Sequence, residues 1–179
     1  SQLRKRSVTA VILVVFSIVA FVAYAFRSVS FPVASWKYGV TAIIAAMHDV
    51  LLVVGVFAFS GHYHHIEVDI GFVVALLTVM GYSVQDTIVV YDRIRENLLH
   101  RRSGSFSEMV DIGLNETLMR SINTTLITLI PLVALYVLGG ATIQNFALAL
   151  IVGIASGAYS SIFVASPLLA YVDKYQNKK

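Results

Sequence analysis

Cysteine is absent from the 179 residues, which excludes disulfides, thiolate nucleophiles and zinc–sulfur centres. Charge is scarce as well. Asp, Glu, Lys and Arg make up 13% of the chain, against 58% hydrophobic residues. A soluble domain carries about 25% charged residues, so this chain lacks the polar surface that water would have to wet. Basic residues exceed acidic ones only modestly, with a formal net charge of +3. They sit in short clusters between apolar runs, the pattern of topology signals and lipid contacts rather than of a nucleic-acid face.

What is present is a set of long apolar runs. Five of them match the roughly 20 helical residues needed to cross a hydrocarbon core: about 8–26, 38–59, 70–91, 117–138 and 143–169. The first has neither the length nor the cleavage site of a signal peptide. None shows the period-two alternation of barrel strands. The expectation is one all-α polytopic transmembrane domain, 1–179, of five spans. Between the third and fourth spans, Ser105 followed by Glu108 forms a capping box. Phe106, Met109, Val110 and Leu114 then recur at helical spacing. This predicts a short amphipathic helix over about 105–115 lying at the membrane surface, bent near Gly113 and Asn115.

Lys and Arg in the loops set the orientation. Five spans place Arg27, Lys37, Arg93, Arg95, Arg101, Arg102, Lys174, Lys178 and Lys179 on one side, and Arg4, Lys5 and Arg6 on the other. The richer side is expected to be cytoplasmic, with the N-terminus of this chain outside and the C-terminus inside. An outward start with three basic residues leads to the expectation that another segment precedes Ser1. The outer loop carries His62, His64, His65, Glu67 and Asp69. It reads as a solvated polar loop, with no metal site expected.

An ionisable residue within a span costs several kcal/mol and is a functional hypothesis by default. Asp86 lies five or six residues from the inner end of the third span, roughly 8 Å deep. Arg120 lies at similar depth in the fourth. The two can pair, and either a static ion pair or a working one satisfies that spacing. His48 and Asp49 sit mid-span in the second run. They form either a hydrogen-bonded polar pair or a proton-passing one. Polar side chains flank these groups: Tyr82 and Gln85 beside Asp86, and Asn123 and Thr124 beside Arg120. Ala149, Gly153 and Gly157 recur every fourth residue in the last run, a surface for close helix packing.

The stretch from Gly81 to Asn97, GYSVQDTIVVYDRIREN, resembles the signature of SecF, the smaller member of the SecD–SecF pair. His48-Asp49-Val50, the stretch from Asn115 to Thr125, and Phe146–Leu150 with Gly157–Phe163 resemble further segments of that family, in the same order. Gln85 stands where the family usually has Asn, a neutral exchange. SecF proteins have six spans and an extracytoplasmic domain between the first two. The resemblance therefore implies that this chain corresponds to the last five spans, without the first span and that domain.

The resemblance also implies a function. Such a subunit assists the Sec translocase in export driven by the proton-motive force across the bacterial inner (cytoplasmic) membrane. Its implied partners are SecD, the SecYEG translocon with YajC and YidC, and translocating preproteins. Protons are the coupling ion, and no other cofactor and no nucleic acid is implied. Asp86 and Arg120 match the family's functional membrane residues, and Asp49 a further polar position. The chain is then not an enzyme. Two other readings compete. One is a translocon scaffold without proton work. The other is an intramembrane aspartyl protease, which needs two carboxylates sharing a proton and would draw on Asp49, Asp86 and Asp92.

Overall fold

The computed structural model describes residues 35–64, 69–100 and 104–176, with isolated helical positions between 9 and 24. Those residues are almost all helical, with no strand among them. Helix α1 spans Ser35–His64, α2 Ile70–His100, α3 Phe106–Leu138 and α4 Ala141–Ser160. A five-residue π turn, Ser161–Ala165, joins α4 to α5, Ser166–Gln176. The described residues thus hold four rods long and apolar enough to span a bilayer, the last running Ile143–Lys174. Five were expected. The remaining one, at 8–26, lies mostly outside the described residues.

The rods outrun the apolar segments for local reasons. Helix α2 continues beyond Tyr91 to His100 because its charged residues pair along the helix surface. Arg93 lies 2.5 Å from Glu96, and Arg95 lies 3.7 Å from Asp92, both three residues apart. Its start is capped by Asp69, which accepts from the Phe72 amide at 2.9 Å. Helix α3 begins on the expected capping box. The Ser105 hydroxyl accepts from the Glu108 amide at 3.3 Å, and Glu108 accepts from the Ser105 amide at 2.7 Å.

The segment 105–115 is not a separate surface helix. It forms the first turns of α3 without a break at Gly113 or Asn115. Phe106, Met109 and Val110 are buried, and Phe106 and Val110 pack with Tyr91 and Ile94 of α2. Gly113 serves a close crossing rather than a bend. A Cβ there would lie 3.1 Å from the Ile94 backbone nitrogen. At Gly153, a Cβ would collide with the Val79 side chain, so the small-residue stripe of α4 lets it lie against α2.

The core is split in two. Tyr38, Ala45, Val90, Tyr91, Phe106 and Leu169 belong to one apolar cluster, near the end where α2 gives way to α3. Val53, Phe57, Phe72, Val79, Ala149 and Ile154 belong to the other, toward the opposite end. Between them, α1, α2 and α4 each change to buried polar residues: Asp49, then Ser83 and Thr87, then Ser156 and Ser160, followed by Ser161 of the π turn. A polar layer at one level of three neighbouring helices cannot arise from loose amphipathicity. It sets the position of the site.

Candidate functional site

Asp49 is fully buried, at 0% exposure. Its Oδ2 accepts from Ser83 of α2 at 2.5 Å and from Ser160 of α4 at 2.7 Å. Its Oδ1 accepts from Ser156 of α4 at 2.7 Å and lies 3.1 Å from His48 Nδ1. Three helices are thereby pinned to one carboxylate, whose cost of burial is offset by hydrogen bonds to its oxygens. His48 is half-buried, with its flank on a shallow apolar depression formed with Ile43, Met47 and Leu51.

Asp86 is treated differently. Its Oδ1 accepts from Ser121 of α3 at 2.7 Å. Its Oδ2 is buried and receives no hydrogen bond. The carboxyl borders a cavity of about 60 Å³ lined by Tyr82, Gln85, Val89, Arg120 and Thr124. A water needs at least about 10–15 Å³ of such space and several polar neighbours, so this pocket has room for a small number of waters. Tyr82 spans it, with its hydroxyl 3.4 Å from Thr128 of α3.

Arg120 lines the same cavity but makes no ion pair with Asp86. Charged pairs among the described residues include His48–Asp49, Arg93–Glu96, Arg93–Glu116 and Arg95–Asp92. The expected direct pair is corrected for a geometric reason. Neighbouring helix positions point about 100° apart, and it is Ser121, buried, that faces α2, while Arg120 turns to the exposed side. Asn123 and Thr124 are exposed with it, and the Thr124 hydroxyl donates back to the Arg120 carbonyl at 2.8 Å. Gln85 is exposed on α2 beside the cavity.

The residues to which sequence reasoning gave no bonding role are the hydroxyls. Ser83, Ser121, Ser156 and Ser160 supply the direct bonds to the two carboxylates, and Ser161 lies 3.1 Å from the Thr87 hydroxyl. One signal was available. Ser156 and Ser160 stand three residues after Gly153 and Gly157, on the helix face that had to approach the acid-bearing spans. Among the described residues, no group of three or more His, Asp or Glu could hold a metal. His65 and Glu67 of the outer loop lie outside those residues.

Residues 1–175 match the family described as protein export membrane protein SecD/SecF, C-terminal. A protein translocase subunit SecF from Thermobaculum terrenum is 52% identical over 177 residues, covering 99% of this chain and 54% of that protein. A SecDF from Thermus thermophilus is 42% identical over 168 residues, 94% of this chain and 21% of its own length. The crystal structure of Thermus SecDF, titled a translocon-associated membrane protein, superposes with a TM-score of 0.85 at 41% identity, over 98% of this chain and 22% of that one. A SecDF structure in a super-membrane-facing form gives 0.87 at 40% identity, over 99% and 23%. The chain spans about half the length of the SecF relatives and about a fifth of the fused SecDF.

Proposed function

The chain belongs to the SecD/SecF protein-export family, and on that premise we propose that it is the membrane part of a SecF-type subunit. In this reading it couples the proton-motive force to Sec-dependent export across the bacterial cytoplasmic membrane. The observation that carries the reading is the Asp86 carboxyl, with one buried oxygen that receives no hydrogen bond, on a residue that lines a small cavity shared with Arg120. An acid placed so can take a proton from water in the cavity. Gaining it removes a charge from a low-dielectric site and shifts the balance between helix packings. One proton crossing 100 mV supplies about 2.3 kcal/mol, so a sizeable movement takes several.

SecD is the natural cover for the exposed side of α3. Only 11% of the most apolar stretch of α3 is buried within the protein, against 50% for the last span. That bare surface carries Arg120 and Asn123, which acyl chains would solvate poorly. Relatives that carry SecD and SecF on one chain fit such an association. SecYEG, YajC, YidC and the translocating preprotein complete the proposed assembly. Lys37, Arg93, Arg95 and Lys174 lie toward one end of the rods, which favours a cytoplasmic location for that end and for the C-terminus.

The test uses the whole SecF with SecD in energised vesicles. Asp86→Asn and Arg120→Ala are each expected to abolish the stimulation of export by a proton gradient while SecD still co-purifies. Full stimulation in both variants overturns the reading. A scaffold without proton work accounts for the sealed Asp49 cluster but leaves the unbonded Asp86 oxygen unexplained. A protease needs two carboxylates sharing a proton. Asp49 is instead engaged by three serines, and Asp92 is exposed, 3.7 Å from Arg95.

A further inference from the structure

We propose that Glu116 of α3, held by Arg93 and Asn97 of α2, is a gate that closes the Asp86 cavity toward the end of the rods that carries Lys37, Arg93 and Lys174. The inference rests on the proposed proton-coupling role of Asp86 and names the point at which the path to that cavity is shut.

Three side chains build the gate. Arg93 Nε donates to Glu116 Oε2 at 2.8 Å, and Asn97 Nδ2 donates to the same oxygen at 2.8 Å. Asn97 is buried, whereas Arg93 and Glu116 are partly exposed, so the cluster has one side in the bundle and one toward water. Helices α2 and α3 run antiparallel here. Asp86 meets Ser121, Arg93 meets Glu116, and Ile94 meets Gly113. The cavity residues nearest that end are Val89 on α2 and Arg120 on α3. Arg93 stands four residues after Val89, and Glu116 four residues before Arg120, about one helical turn in each case. The pair therefore bridges the two helices at the first turn past the cavity. Beside it the seam is already tight, because a Cβ on Gly113 would lie 3.1 Å from the Ile94 nitrogen and 3.2 Å from its Cα.

The network also has a second arrangement in which no charge is left bare. Glu116 and Arg120 are four residues apart on α3, with the acid toward the N-terminus, the spacing and order that favour an ion pair along a helix. If Glu116 turns to Arg120, Arg93 keeps Glu96, which it already holds at 2.5 Å. The exchange replaces one arginine by another and breaks the bridge between α2 and α3. Only Asn97 loses its acceptor, and water entering through the opened bridge supplies another. Arg120 borders the cavity, so its turn toward Glu116 carries its charge away from Asp86 as the gate opens.

The experiment measures access to the cavity by thiol labelling. These 179 residues hold no cysteine, so Val89→Cys places one reporter on the cavity wall. Whole SecF with SecD, freed of any other cysteine, is reconstituted in one orientation in lipid vesicles. A charged, membrane-impermeant methanethiosulfonate is added to one face and, separately, to the other. His100→Cys, exposed at the end of α2, identifies the face that bears Arg93. From that face, Val89→Cys should react slowly with the pair intact. It should react about tenfold faster with Glu116→Ala, which removes two bonds at one partly exposed carboxylate. Glu116→Gln, which keeps an acceptor oxygen without the charge, should raise the rate less, and it carries the test if the alanine variant fails to assemble. From the opposite face, neither substitution should change the rate. Equal rates with and without Glu116 overturn the gate. A rise from both faces marks a loosened bundle and overturns it too. Either result leaves proton uptake by Asp86 standing, because the loss of export stimulation in Asp86→Asn tests that reading by itself.

Discussion

Replacing Asp49 by Ala should loosen three helices at once. The substitution removes the acceptor of Ser83, Ser156 and Ser160, bonded at 2.5, 2.7 and 2.7 Å. Interhelical hydrogen bonds in membrane proteins contribute about 0.6 kcal/mol on average and at most about 1.7, so three of them are worth about 2–5 kcal/mol. The middle of that range, about 3.5 kcal/mol, is roughly 300-fold in the folded-to-unfolded ratio. Each single serine-to-alanine change should cost only about 0.6–1.7 kcal/mol, because Asp49 retains its other donors. Asp49→Asn keeps one acceptor oxygen but turns amide hydrogens toward hydroxyls that are already donors, so its cost should fall between. Reversible unfolding of the purified subunit in mixed micelles, followed by loss of helicity, measures all five variants on one scale. A loss below about 1 kcal/mol for Asp49→Ala would mean that the serine cluster does not hold the helices together, and the description of Asp49 as their anchor would be wrong.

Three further substitutions probe the scaffold. Gly153→Ala drives a methyl group into Val79 and should destabilise by about 1–3 kcal/mol. Gly140→Ala, with nothing within 4 Å of the added carbon, meets no clash and should lose only the N-cap preference for glycine at the start of α4, less than about 1 kcal/mol in the same unfolding measurement. Ser105→Ala removes the cap at the start of α3 and should cost about 1 kcal/mol. It should speed hydrogen exchange in the first turn of α3 without altering exchange around Asp86.

The sequence made the rods legible because long apolar runs admit one solution in a bilayer. The capping box at Ser105 and Glu108 was readable for a similar reason: both partners lie within four residues of each other. What was not legible depended on helix rotation. The apolar face of 105–115 suited a membrane surface equally well, and only the approach of Ile94 to Gly113 shows that α2 takes it. The serines were opaque because a lone serine in a membrane helix ordinarily bonds its own backbone. Thr117, Thr124 and Thr128 do just that. Ser83, Ser121 and Ser156 reach other helices instead, which no single-helix pattern records.

The same uncertainty of rotation bears on Arg120. Depth along the chain placed it level with Asp86, and the cavity they share agrees with that. Rotation placed Ser121 on the carboxylate and Arg120 on the open side of α3. An arginine bonded directly to Asp86 would stabilise the charged acid and resist its protonation. An arginine across a small cavity holds the acid less tightly, because its field weakens with distance and with any water between them. Asp49, saturated with donors, and Asp86, left one bond short, therefore suit opposite tasks within one polar layer. In the proposed reading, the first fixes the helices against each other and the second changes its charge between them.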